Sequence, residues 1–210
     1  RLVQMGFQAV AAPVLKIRPL PATIDLAGVG ALAFTSANAV FAFAGDARDL
    51  PVFAVGDGTA RAARAAGFAE VVSAKGDVAA LARAIADRAG ELKGAVLHPA
   101  AAAPAGDLAG DLVRAGIPAR SVAVYETVDA NFPSLLLDLI AECDGVLIHS
   151  PKAARRVAEL LPMIRAPRLR AWCLSSAVAA PLAGFDIGPI IVAPLPTEDA
   201  LLSLVAETGP

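Results

Sequence analysis

The sequence predicts an α/β protein with mainly parallel sheets and crossover helices, and three observations support that class. Apolar segments of strand length alternate with helical segments along nearly the whole chain, as in parallel sheets. Two segments, Leu32–Val40 and Val146–Ala154, each run from a strand through a serine into a helix. Features around these segments recur in the same order in both halves of the chain, which indicates two lobes of similar fold.

The recurrence is an ordered set of features rather than one strong repeat. Phe34–Ala39 aligns with Ile148–Ala153, and Phe53–Gly56 aligns with Trp172–Ser175. In each half a Gly-Phe pair follows, and then a strand, a polar turn and an amphipathic helix. Any two strand–helix–strand segments share some likeness, but this shared order favours a duplication.

The elements follow in chain order from apolar runs, capping residues and glycines. Gly6 closes a helix end, Pro13 interrupts the first strand, Gly67 stops a helix and Asp77 caps the next one. The predicted strands are 7–16, 31–35, 52–55, 70–72, 94–97, 121–127, 145–148, 170–174 and 189–192. The predicted helices are 38–43, 60–66, 78–89, 106–115, 133–141, 152–161, 177–182 and 197–207, with a further short helix expected within 18–29.

Composition and charge argue against several classes of protein. The net charge is −2 and no lysine–arginine stripe with interleaved aromatics is present, so we predict no nucleic-acid partner. The longest uncharged run, Gly28–Gly45, carries Thr35, Ser36 and Asn38 in its middle, so we predict no membrane span. No secretion signal is visible and a cytoplasmic location is expected, although the chain opens abruptly in a predicted helix end.

The cysteines, histidines and glycines do not form the usual metal or nucleotide patterns. Cys143 and Cys173 lack C-x-x-C spacing and lie in or beside apolar runs, so both are predicted to be reduced core residues. His98 and His149 are the two histidines, and they have no zinc-site spacing. The Gly-Asp-Gly at 56–58 lacks a third glycine at position 61, so it is not a dinucleotide fingerprint.

In Leu32–Val40 and Val146–Ala154, the turn from strand to helix is called a focal turn below, and the serine at each focal turn has two interpretations. A strand that runs directly into a helix presents free N–H groups and the positive end of the helix dipole, which favours anion binding. Ser36 and Ser150 would then help to bind an anionic ligand. Alternatively, each is only the N-cap of its helix. Capping and binding are compatible, and both interpretations remain open from the residues alone.

Six segments in a fixed order resemble the uroporphyrinogen-III synthase family, whose members close a linear tetrapyrrole into the porphyrin precursor ring. The likeness covers nearly the whole chain, and its specificity comes from the ordered set rather than from any one motif. The segments are Gly6–Leu15, Phe34–Val40, Ala54–Ala60, Leu112–Val128, Ile148–Pro151 and Ala193–Leu201.

The resemblance implies two flavodoxin-like lobes joined by a two-stranded antiparallel connection, with the active site in the cleft between the lobes. The connecting strands would be 13–20 and 122–130. One lobe would comprise 1–18 and 127–210, and the other 19–126. The family's first strand would precede Arg1 and is missing from this sequence. We expect a monomer.

The resemblance also implies the chemistry: hydroxymethylbilane closes to uroporphyrinogen III with inversion of the last ring and loss of water, without metal or organic cofactor. Tyr125, in a Val-Tyr-x-Thr-Val motif, would give a proton to the departing hydroxyl; otherwise it is a packing residue on a strand. Thr59, if not a plain helix cap, would bind a carboxylate or the leaving water. The predicted substrate-binding residues are Thr35, Ser36, Asn38, Thr59, Ser150, Lys152, Ser175 and Ser176.

Three departures from the family pattern keep other functions open. A loop expected at Pro99–Ala103 lacks the usual turn glycine and polar groups, His149 stands for a threonine, and Val178 stands for a helix-start threonine that Ser176 would replace. The alternatives are a two-lobed binding protein for a small anionic metabolite and an inactive homologue that keeps the scaffold.

Overall fold

The computed structural model describes residues 1–131 and 134–208, and the chain divides into two compact units. One unit is Ile17–Val128, a single continuous stretch. The other combines Arg1–Lys16 with Asp129–Pro210. Each unit is built around its own sheet, and each is described by itself below.

A six-stranded sheet in the order β1-β6-β5-β2-β3-β4 forms the first unit and extends slightly beyond it. All neighbouring pairs from β6 to β4 are parallel. β1 runs antiparallel to β6, because Leu20 N–H donates to the Val124 carbonyl and Ala130 N–H donates to the Val14 carbonyl, both at 2.9 Å. A mainly parallel α/β fold with one antiparallel pair is therefore confirmed. The strands are β1 Leu15–Pro19, β2 Val29–Phe34, β3 Val52–Ala54, β4 Val71–Ser73, β5 Ala95–Ala101 and β6 Ala119–Asp129.

Apolar side chains cover both faces of this sheet, as expected where crossover helices flank parallel strands. Alternate residues of β2 point to opposite faces, so Phe34 packs with Phe43 and Phe68 on one side. Ala33 packs with Phe53, Leu81 and Leu112 on the other side. The helices are α1 Ala37–Ala42, α2 Asp57–Ala65, α3 Val78–Ala86 and α4 Leu108–Arg114, with a short 3-10 turn at Ala89–Glu91.

A three-stranded parallel sheet in the order β7-β8-β9 forms the second unit. Trp172 packs on one face against Leu201 and Val205, while Ile148 and Leu182 pack on the other. The strands are β7 Gly145–Ile148, β8 Arg170–Cys173 and β9 Ile190–Val192. The helices are α5 Ser134–Glu142, α6 Pro151–Leu160, α7 Ser176–Ala179 and α8 Glu198–Thr208, with 3-10 turns at Val3–Met5, Leu161–Met163 and Ala180–Leu182. The predicted start of α5 at Pro133 lies outside the described residues.

Several local predictions are wrong, each for a physical reason. The strand predicted at 7–16 is confined to Leu15–Pro19; Val10 in the apolar run is 59% exposed, and Pro13 has no N–H to donate. The short helix expected within 18–29 is not among the elements of the described chain. The loop expected at Pro99 is strand, because β5 pairs with β6 through Pro99↔Val122 and continues to Ala101.

Candidate functional site

The first focal turn, Thr35–Asn38, lies where β2 ends. Ser36 has extended backbone (φ −156°, ψ 143°) and is the N-cap of α1. Its hydroxyl accepts a hydrogen bond from Asn38 N–H at 3.1 Å. Thr35, Ser36 and Asn38 are all half-buried, so each keeps an accessible portion at this turn. The capping interpretation of Ser36 is therefore confirmed, and ligand binding remains compatible with it.

Thr35 contacts a buried histidine that the sequence did not identify as functional. His98 lies in β5 and is 2% exposed. Its Nε2 lies 3.1 Å from Thr35 Oγ1, and its Nδ1 lies 3.2 Å from Ser121 Oγ on β6. One ring therefore links residues of three adjacent strands or strand ends. The available signal in the sequence was one polar residue within the apolar run 95–101.

Burial determines the charge of His98. Desolvation lowers the pKa of its imidazole from 6.5 to about 4, and the carboxylate of Asp107 opposes this shift more weakly. His98 is therefore neutral near pH 7. A neutral imidazole has one N–H and one bare nitrogen, so it donates one hydrogen bond and accepts the other.

Thr59 lies at the third position of α2 and is 8% exposed. The N-cap of this helix is Gly56, which offers no side-chain oxygen to the first N–H groups. Asp57, in the first turn, accepts a hydrogen bond from the Ser73 hydroxyl at 2.7 Å. Thr59 is therefore not the N-cap of α2, and the alternative interpretation of Thr59 as a plain helix cap is wrong. This helix start has no serine like those of α1 and α6.

Tyr125 lies on β6 and is 8% exposed. Its ring belongs to the apolar cluster that contains Phe34, Leu97 and Val124. No hydrogen bond to its phenol is present within the described ranges, and its oxygen is not among their fully buried unpaired atoms. The phenol oxygen therefore retains contact with solvent while the ring packs in the core.

The second focal turn, at the end of β7, also has a serine cap, but a histidine precedes this serine where the first turn has a threonine. Ser150 caps α6 by accepting from Ala153 N–H at 3.1 Å, and Pro151 occupies the first helical position. The preceding residue, His149, places Nε2 2.8 Å from Glu198 Oε2, and both side chains are about half exposed. Lys152 lies exposed in the first turn of α6.

Ser175 and Ser176 follow β8, next to β7. Ser175 occupies the N-cap position of the short helix α7, but its side chain makes no capping hydrogen bond. Ser176 is exposed, and Val178 is 2% exposed and packs in the core. The two hydroxyls therefore remain available at the carboxyl end of the sheet, whereas Val178 serves packing.

The predicted site residues divide between the two units. Within each unit they cluster where ligands usually bind in parallel α/β sheets, at the carboxyl ends of adjacent strands. The ends of β2 and β3 carry one group, and the ends of β7 and β8 carry the other. Tyr125 differs, because it lies within β6. The first unit contains Thr35, Ser36, Asn38, Thr59 and Tyr125, and the second contains Ser150, Lys152, Ser175 and Ser176.

Other chemistry-bearing groups have simpler roles. Both cysteines are free; Cys173 is buried as predicted, whereas Cys143 is only partly buried. Burial raises the pKa of the Cys173 thiol to about 11 and also raises the pKa of Cys143. The part of the chain that the structure describes contains no group of three or more histidine, cysteine or acidic residues able to hold a metal. Nor is any helix there long and apolar enough to cross a bilayer.

A comparison with models of known protein families identifies the family of this chain. A family model described as uroporphyrinogen-III synthase HemD matches residues 1–203. The chain belongs to the uroporphyrinogen-III synthase family. This membership agrees with the ordered segments in the sequence and with the mainly parallel α/β fold.

Solved structures of the family share that fold. Uroporphyrinogen-III synthetase from Helicobacter pylori is 19% identical, with a TM-score of 0.72 and 95% of each chain covered. A mutant uroporphyrinogen III synthase from Thermus thermophilus is 17% identical, with a TM-score of 0.52, covering 97% of this chain and 89% of that one. At these identities the likeness shows the fold. Among curated proteins, none matches this sequence significantly.

Proposed function

We propose that this protein is a uroporphyrinogen-III synthase, which closes hydroxymethylbilane to uroporphyrinogen III. The observation that carries the proposal is the family match over residues 1–203. Two sets of hydroxyl-bearing strand-to-helix turns, one in each unit, support it further. Such turns suit a substrate that carries acetate and propionate arms, because N–H groups and hydroxyls at helix starts donate to carboxylates.

The proposed reaction begins with loss of the terminal hydroxyl. The pyrrole nitrogen supplies the electron pair that breaks the C–O bond, and an acid supplies the proton with which the hydroxyl leaves as water. The resulting azafulvene cation is attacked by the substituted carbon of the last ring, which gives a spiro intermediate. Fragmentation and re-closure at the unsubstituted carbon invert that ring and release a ring proton. The electrons come from the substrate, so these steps call for no cofactor.

The protein's contribution is positioning and exclusion of the direct closure. A linear tetrapyrrole has many conformations, and holding its ends in the productive geometry supplies much of the rate. We propose that the lobes 1–18 with 127–210 and 19–126 bind the substrate between them as a monomer. The lobe 1–18 with 127–210 would use Ser150, Lys152, Ser175 and Ser176, and the lobe 19–126 would use Thr35, Ser36, Asn38 and Thr59. We propose a tetrapyrrole substrate as the partner, without nucleic acid or membrane, and a cytoplasmic location.

Product analysis tests the function directly. The purified protein is incubated with hydroxymethylbilane, the product is oxidised to porphyrin, and the two isomers are separated. A synthase yields isomer III faster than isomer I forms spontaneously. Isomer I alone at the spontaneous rate would contradict the proposal and favour an inactive family member.

We further propose that Tyr125 gives the proton to the departing hydroxyl. Its solvent-reaching phenol oxygen and buried ring suit a fixed donor. Tyr125→Phe should lower kcat by about 100-fold or more, the usual contribution of general acid catalysis. The ring stays in its cluster, so the thermal unfolding temperature should change little. An unchanged kcat in a folded variant would remove Tyr125 from the mechanism.

A further inference from the structure

The buried ring of His98 lies within hydrogen-bond distance of two hydroxyls. The direction of each hydrogen bond decides which hydroxyl can donate to a ligand. Ser121 is the register partner of His98 on β6, and Thr35 follows β2 on the other side of β5. Thr35 Oγ1 and Ser121 Oγ lie 3.1 and 3.2 Å from the two ring nitrogens. Ser121 is exposed, Thr35 is half-buried and His98 is almost wholly enclosed.

Two arrangements satisfy a neutral ring. In the first, Nε2–H donates to Thr35 Oγ1 and the Ser121 hydroxyl donates to Nδ1. In the second, Nδ1–H donates to Ser121 Oγ and the Thr35 hydroxyl donates to Nε2. Only in the first arrangement is the hydroxyl hydrogen of Thr35 free to be donated to a ligand. In the second, Thr35 can offer a ligand nothing except lone pairs.

The chemistry of the ligand selects between them. Ionised carboxylates accept hydrogen bonds and cannot donate them. A carboxylate arm that hydrogen-bonds to Thr35 at the Thr35–Asn38 turn therefore requires the hydroxyl hydrogen of Thr35. Ser121 can donate to Nδ1, and it is an exposed residue, whereas Thr35 is half-buried.

We propose that His98 is a positioning residue for the substrate: its Nε2–H donates to Thr35, so that the Thr35 hydroxyl donates to a carboxylate of the bound tetrapyrrole. This inference rests on the proposed function, because it takes the carboxylate-bearing substrate from it. His98 itself need not touch the substrate. It acts through the hydroxyl that it orients.

Steady-state kinetics with hydroxymethylbilane provide the first test. Thr35→Val should raise KM about tenfold or more with kcat little changed, since a hydrogen bond to a charged group is lost equally in ground and transition states. Thr35→Ser keeps the hydroxyl and should restore most of the affinity. Thr208→Val is the matched control, because the Thr208 hydroxyl accepts from Trp172 Nε1 and donates to the Leu204 carbonyl, and Thr208 is not a predicted site residue. It should leave KM unchanged.

A double-mutant cycle separates positioning from a merely structural role. His98→Leu should raise KM in the wild-type background and have no further effect in Thr35→Val, whose hydroxyl is already gone. Additive effects of the two substitutions would overturn the proposal, as would an unchanged KM in Thr35→Val. Wild-type protein that forms no isomer III would instead overturn the proposed function, and this inference with it.

Nitrogen-15 NMR of the ring nitrogens tests the same point without substituting His98. The chain has two histidines, so spectra of wild type and His149→Gln assign the signals. With uroporphyrinogen III bound under anaerobic conditions, Nε2 of His98 should carry the hydrogen. A hydrogen on Nδ1 in that complex would overturn the proposal.

Discussion

The two focal turns use the same local device and differ in the residue just before it. Ser36 and Ser150 both leave a strand with extended backbone and cap the following helix at 3.1 Å. Thr35 then pairs with a buried imidazole, whereas the corresponding His149 pairs with an exposed carboxylate. The cap depends on residues within one helical turn. The contacts of the residue before each serine, Thr35 or His149, depend on which distant residue of the same unit lies beside that strand end.

The largest expected difference between the two turns concerns their histidines. His98→Ala should lower the free energy of unfolding by roughly 2–4 kcal/mol, because it leaves a cavity and two hydroxyls without their partner. His149→Ala should cost less than about 1 kcal/mol, since its pair with Glu198 is half exposed. Denaturant unfolding of both variants measures the contrast. Equal losses would mean that burial does not distinguish the two sites.

Acidification should sharpen the same contrast. The pKa of His98 is lowered from 6.5 to about 4 in the folded protein, so between these values the unfolded state binds more protons. Stability should therefore fall as the pH decreases from 6.5 to 4 and be fully regained above 6.5. At about 1.4 kcal/mol per pKa unit, the loss from this group is roughly 3 kcal/mol.

The measurement is the unfolding free energy of wild type and His98→Gln across that pH window. Other titrating groups are common to both proteins, so the difference between the two curves isolates His98. The wild type should lose stability relative to the variant as the pH falls. Parallel curves would show that His98 is not held neutral by burial.

The smallest effect should be the one that the two turns share. Ser36→Ala and Ser150→Ala should each cost about 1 kcal/mol, the usual loss for an N-cap hydroxyl. Ser175→Ala is the matched control, because the Ser175 side chain makes no capping bond, and its stability should remain near that of wild type. Thermal and denaturant unfolding provide the comparison. A Ser36 cost well above that of Ser150 would indicate that its hydroxyl does more than cap.

Much of the fold was predictable because its signals are local or periodic. The strand at Gly145–Ile148 was predicted to the residue, and Asp77 caps α3 at 2.8 Å as expected. Pattern alone failed where exposure mattered. The apolar run at 7–14 is typical of a buried strand, yet Val10 is 59% exposed and lies outside every strand of the described chain. The pattern predicts a loop at Pro99, whereas the parallel pairing of Pro99 with Val122 includes it in β5.

The sequence by itself determined the α/β class and the serine caps at both focal turns, because each depends on residues close together in the chain. Only the tertiary structure decided what stands beside those caps. Thr35 and His98 are 63 residues apart, and His149 and Glu198 are 49 apart. Strand order and helix placement bring such pairs together. His98 is buried and therefore held neutral, whereas His149 lies at the surface.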